Sequence, residues 1–310
     1  MEVLLVFVGW RFGFYFLQFY TGFNTFGLTQ FLVPLLIIAI TRRKWVDYGF
    51  TTKHWQDSTE IGLNAYLLAL IPVGAMLLLL FVGLGYQDIL GGTILGACSI
   101  LALFILLEII QRRDRKLGIE VVSGIATDTS VSAQNPTPNP NEMTEKPSPQ
   151  SRNALGRKNL LVISILLLFP ILLAIAIRPR PPMQVGDIVY WDLWQFFVSG
   201  FGEETLYRGY VQSRINAEFG RPYSFKGVQF GPGLFVAAAL FGFTHVLNPF
   251  NPLAGTFTLA WGWGIMTFCG GLFFGLIREK TGDLIGPGIA HGLPDAVGES
   301  IYLIFAGTYA

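Results

Sequence analysis

The sequence predicts an all-α polytopic membrane protein of about eight or nine transmembrane helices. Composition, apolar stretches of membrane-spanning length and the placement of basic residues between them carry that prediction. Of 310 residues, 52% are hydrophobic and only 13% are charged, against roughly 25% charged in soluble domains. A soluble globule of this length needs more polar surface than the chain supplies. With a formal net charge of +1, nothing suggests a nucleic-acid footprint, and the lipid bilayer is the first expected partner.

About 20 consecutive apolar residues cross a bilayer. On that basis the segments are 3–20, 24–41, 61–84, 89–110, 159–177, 188–212, 233–247, 256–277 and 284–304. The first is weakened by Arg11, and the seventh is short. The N-terminal stretch lacks a basic n-region and an A-x-A site, so it reads as an uncleaved membrane segment. Cys98 and Cys269 lie inside apolar runs with no CxxC or metal-type spacing, and read as free thiols packed as small hydrophobes.

Between the fourth and fifth segments the chain is polar over 111–158. Pro136, Pro138, Pro140, Pro147 and Pro149 oppose a regular helix there, and little apolar surface offsets the entropy of ordering. The stretch reads as a disordered cytoplasmic linker. It separates an N-terminal transmembrane region, 1–110, of about four spans from a C-terminal one, 159–310.

Lys and Arg set orientation. One side collects Arg42, Arg43 and Lys44, then Arg112, Arg113, Arg115 and Lys116, then Arg152, Arg157 and Lys158. It also collects Arg214, Arg221, Lys226, Arg278 and Lys280, while the other side has only Arg178 and Arg180. The basic side is therefore expected to be cytoplasmic, with the N-terminus inside, as suits a bacterial inner membrane.

Ionisable groups are expensive in hydrocarbon and point to function. Glu108 sits near a helix end, within reach of water. The last five segments, however, hold Glu203, Glu204, Arg208, His245, His291, Asp295 and Glu299. Two of the three histidines are in this set, and only His54 lies in a polar loop. At 1.5 Å per residue, Glu203, His245, His291 and Asp295 fall roughly 10–18 Å below the basic ends of their helices. Three helices thus place polar groups in one layer, as a shared site requires.

Glu204 and Arg208 stand i,i+4 and can neutralise one another, while Glu203 points about 100° away, free of that pair. A free carboxylate in an apolar site can act as general base. A Glu and a His converging on one water would activate it, and a His and an Asp opposite would stabilise an oxyanion if a proton is available to donate. Asp295 would supply that proton itself or would orient His291 as the donor. Alternatively, Glu203, His245 and His291 would hold Zn²⁺ or another divalent metal with one position open, although the local H-E-x-x-H signature is absent.

At these residues the sequence resembles the CAAX prenyl protease type II and bacteriocin-processing family, also called CPBP or Abi proteins. The family pattern EExxxR, FxxxH and HxxxN/D stands here as Glu203-Glu204-x-x-x-Arg208, Phe241-x-x-x-His245 and His291-x-x-x-Asp295. The resemblance covers about 188–304. It implies a helical intramembrane endopeptidase, glutamate-dependent or metallo-type, with a site in the C-terminal helix bundle opening toward the cytoplasm. Glu203 and His245 would hold and activate the water, His291 and Asp295 would form the oxyanion side, and Glu204 and Arg208 would support Glu203. The implied substrates are peptides or membrane proteins, lipidated ones included. Asp295 departs from the commoner Asn, and Pro294 before it is a further peculiarity.

Other polar positions read more plainly. Tyr207 is expected to pack with one hydrogen bond, Asn248 to end a helix, Glu299 to continue the His291–Asp295 face without a catalytic role, and His54 to be solvated. Gly271 and Gly275 suggest close helix packing. Trp191, Trp194, Trp261 and Trp263 suit interfacial anchoring. The competing function is a non-catalytic membrane immunity or scaffold protein of the same fold. A proton-relay transporter would show broken helices in an internal repeat, and none is visible.

Overall fold

A computed structural model describes residues 1–22, 25–116 and 149–307. Among the described residues the apolar segments fold as nine helices: α1 (Glu2–Thr21), α2 (Thr25–Ile40), α3 (Trp55–Phe81), α4 (Ile89–Lys116), α5 (Pro149–Ile177), α6 (185–219), α7 (Gly233–Val246), α8 (Trp261–Thr281) and α9 (Ile285–Ala306). A small antiparallel hairpin, β1 (Tyr223–Phe225) and β2 (Val228–Phe230), links α6 to α7. Four helices are long and apolar enough to cross a membrane: α1, α3, α4 over Ile89–Arg115 and α5 over Arg152–Ile177. Gly27–Ile40 and Gly233–Val246 are apolar but shorter. The helices α6, α8 and α9 carry the polar and glycine residues that lower their hydropathy. Apolar side chains such as Leu77, Leu78, Leu161 and Leu172 point outward and exposed, as lipid contact requires.

Arg11, which weakened the first segment, is buried within α1, and its Nη2 donates to the Leu247 carbonyl at 2.9 Å. The loop after α7 thus answers the charge, and α1 docks there. The helices flanking the expected linker run into it: α4 continues to Lys116 and α5 begins at Pro149. Pro149 is compatible with a helix because it opens one, where the missing N–H has no partner to lose. The proline-rich middle of the expected linker lies outside the described residues.

The two regions separated in sequence are interleaved in space. α8 packs on α7 and α4, while α9 packs on α3, α5 and the first half of α6; α2 lies against the middle of α6. The expected glycine contact is present, since a Cβ on Gly271 would lie 2.9 Å from the Cα of Ala238 in α7. The basic helix ends gather on one side and find acidic partners: Glu2 takes Arg43 at 2.6 Å and Arg214 at 3.1 Å, and Arg113 meets Glu60 at 3.1 Å. Asp114 with Lys280 and Glu108 with Lys226 extend this layer. Cys98 and Cys269 are free thiols.

Candidate active site

The site grows from α6, which is not a regular helix. Two π-helical stretches, Trp194–Phe201 and Thr205–Gln212, flank the α-helical Gly202–Glu204. Such stretches widen the turn and re-aim side chains, and they recur at functional sites. Here they turn Glu203 and Glu204 to different neighbours. Close contact with α9 is made through glycine, because a Cβ on Gly200 would lie 2.5 Å from the Cα of Gly292. That approach sets Ser199 and Glu203 beside His291 and Asp295.

Glu204 and Arg208 form the expected pair, with Oε1 2.9 Å from Nη1 and both side chains fully buried. The same Oε1 accepts from His291 Nδ1 at 2.8 Å. Arg208 also donates through Nη2 to the Gly271 carbonyl at 3.2 Å, and its guanidinium lies 4.5 Å from the Phe241 ring centre. Aromatic faces and one carboxylate thus replace the water that this cation has lost.

Glu203 stays outside that pair. Its Oε2 is 3.7 Å from His291 Nε2 and makes no hydrogen bond, while its Oε1 accepts from Gln30 Nε2 at 3.4 Å. His291 Nε2 is also 3.4 Å from Asp295 Oδ2, and Ser199 Oγ donates to that oxygen at 3.3 Å. Phe274 stacks on the His291 ring, with centroids 4.6 Å apart and planes 11° from parallel. His245 donates from Nδ1 to the Phe241 carbonyl at 2.8 Å. In the neutral ring this leaves the Nε2 lone pair free. Trp263 and Phe241 flank that ring, with centroids 5.3 and 4.6 Å away.

Glu203 and His245 meet across a cavity of about 190 Å³, lined also by Gly27, Gln30, Trp194, Ser199 and Asn248. Gly27 lies at the start of α2, Trp194 in the first half of α6 and Asn248 just after α7. All three positions are remote from the basic helix ends. A site opening toward the basic face was expected; the lining residues lie toward the opposite end, because Tyr207, Arg208, Tyr210 and Gln212 fill the basic side.

All six residues expected at the site are brought together. Glu203, Glu204, Arg208, His291 and Asp295 form one contact chain, and His245 faces Glu203 across the cavity. Glu299 lies one turn beyond Asp295, outside the cavity lining. Tyr207 hydrogen-bonds Thr244 at 2.6 Å, as packing with one bond required. Of the tryptophans expected as interfacial anchors, Trp194 lines the cavity and Trp263 packs on His245. Gln30, Ser199, Thr244 and Phe274 were not anticipated; no local spacing marks them, and only the fold brings them in. The metal alternative is not assembled: among the described residues no three His, Cys, Asp or Glu side chains are grouped to hold an ion. His291 Nε2 faces Glu203 and Asp295, and His245 lies across the cavity.

The family model for Rce1-like proteins, type II CAAX prenyl endopeptidases, matches residues 186–297. That segment contains all three sequence patterns and every residue expected at the site. Over that segment the chain is similar to Rce1-like proteins of the CAAX-protease family. Neither a curated protein nor a solved structure matches it. The Rce1-like match supports a membrane peptidase of the CAAX kind. Helices α1 to α5 lie outside the matched segment, yet α2 reaches the candidate site through Gln30.

Proposed function

We propose that the protein is an intramembrane endopeptidase in which Glu203 and His245 activate a water held in the cavity between α2, α6 and α7. The observation that carries this reading is the pair itself: Glu203, whose Oε2 makes no hydrogen bond, and His245, whose Nδ1 alone is engaged, line one cavity of about 190 Å³. The water donates one proton toward Glu203 Oε2 and the other toward His245 Nε2, which leaves a lone pair for the peptide carbonyl. As the oxygen–carbon bond forms, Glu203 takes the first proton and then returns it to the leaving nitrogen as the carbon–nitrogen bond breaks. An imidazolium at position 291 donates from Nδ1 to Glu204 and presents its Nε2–H to the oxyanion. Glu204 and Arg208 hold that ring, and Asp295, held by Ser199, balances its charge.

We read all nine helices as membrane spans, with the basic face cytoplasmic and the peptide entering from the half of the bundle that holds Trp194 and Asn248. Substrates are membrane-associated peptides or proteins, lipidated ones included. The test is cleavage of a quenched transmembrane-peptide library in water enriched in oxygen-18. One heavy oxygen in the new carboxylate, with no enzyme-linked acyl species trapped by hydroxylamine, supports direct attack by water. A trapped acyl-enzyme contradicts it.

A further inference from the structure

Gln30 is 4% exposed and lines the cavity from α2, outside the segment matched to the peptidase family. Its Nε2 donates to Glu203 Oε1 at 3.4 Å. Its own Oε1 is buried without a hydrogen-bond partner. A buried amide carbonyl left unpaired carries a desolvation cost, so a chain retains one where a ligand supplies the donor. The approach of α2 is built in: a Cβ on Gly202, next to Glu203, would meet the Phe31 ring at 3.1 Å and Gln30 Oε1 at 3.3 Å. A Cβ at position 202 would require the ring or the amide to give by a few tenths of an ångström.

We propose that Gln30 belongs to the active site, with two roles for one amide. Its N–H holds Glu203 Oε1, so that Oε2 stays turned to the water. Its carbonyl accepts a hydrogen bond from a backbone N–H of the bound substrate strand. A peptide strand in an apolar site needs acceptors for its N–H groups, and Gln30, a residue of the cavity wall, holds a buried, unpartnered Oε1. The substrate class is then an extended, main-chain-recognised peptide segment rather than an intact helix, whose amides are already paired. The second role rests on the peptidase reading, and the first does not.

The first role is tested without substrate, by infrared difference spectra of the full chain in detergent. The carboxylate band that vanishes in Glu203→Gln is expected to shift in Gln30→Met. Should Gln30→Met fail to fold, Gln30→Asn, too short to reach Glu203, is expected to show the same shift. A band unmoved in the folded variant overturns this role. The second role is tested on a quenched transmembrane peptide that wild type cleaves, made with single ester linkages near the scissile bond. At one position the ester is expected to lower wild-type kcat/KM about ten-fold, while costing Gln30→Met nothing further. An ester effect equal in both proteins overturns it. Equal cleavage by wild type and Glu203→Gln would instead sink the reading of Glu203 as general base and leave the infrared result standing.

Discussion

The His291 ring is held by Glu204: Nδ1 donates to Glu204 Oε1 at 2.8 Å, while Asp295 lies 3.4 Å from the other ring nitrogen. Because Arg208 occupies the same Glu204 oxygen at 2.9 Å, one carboxylate ties the second π-helical stretch of α6 to α9. The doublet of glutamates therefore divides its labour. Glu204 ties the two helices together, while Glu203 Oε2 makes no hydrogen bond.

Arg208→Met leaves Glu204 buried without its cation. Breaking a buried pair from one side costs about 3–5 kcal/mol. The variant is expected to melt well below wild type in detergent, and the double variant Arg208→Met with Glu204→Gln is expected to recover part of the loss. A double variant no more stable than Arg208→Met alone would show that the pair is not the source of the effect.

Asp295 can be exchanged for the family's commoner residue. Asparagine keeps a group for Ser199 and adds an N–H beside His291, so Asp295→Asn is expected to retain cleavage within about ten-fold. Asp295→Leu removes both interactions and is expected to lose about a hundred-fold or more in kcat. The ratio of the two rates, measured on one peptide, checks the oxyanion assignment; equal losses would argue that the position only packs.

Much of this site was legible in the sequence because its parts are local. Spacing of i,i+4 within one helix gave Glu204–Arg208 and His291–Asp295, and the scarcity of ionisable residues in apolar segments singled out Glu203 and His245. What spacing does not contain is contact between distant helices. Gln30 and Glu203 are 173 residues apart, and Gln30 looks like any polar residue in an apolar helix until α2 is packed on Gly202. The π-helical stretches were hidden for a related reason, since they arise from how α6 fits its neighbours. Arg11 was read as a flaw in the first span; its partner, the Leu247 carbonyl, is 236 residues away.

Cavity direction is open to a labelling experiment. With Cys98 and Cys269 replaced by alanine, Asn248→Cys in sealed vesicles is expected to react with a membrane-impermeant maleimide from the side opposite the basic loops. A cysteine at Lys44 is expected to react only from the basic side. Labelling of both from the same side would reverse the proposed access.

Asp283, in the turn between α8 and α9, is expected to set a pH dependence of stability. It accepts from the backbone N–H groups of Ile285 at 3.0 Å and Gly286 at 3.3 Å and from Ser58, yet burial raises its pKa above the usual carboxylate value. The folded state therefore binds this proton more tightly than the unfolded chain does. The resulting stability is present at acid pH and is lost as pH rises through the folded pKa. Asp283→Asn is expected to flatten the fall in melting temperature between about pH 4 and about pH 8. A curve parallel to wild type would remove Asp283 from that role.

The central claim is that Glu203 activates water for peptide hydrolysis, and kcat for purified wild type against Glu203→Gln on one quenched transmembrane peptide tests it most directly. Glutamine keeps the shape and accepts no proton, so a loss of about 10²–10⁴-fold with an unchanged melting temperature is the predicted result. Cleavage by the variant at the wild-type rate would contradict the account and place the chemistry elsewhere in the cavity.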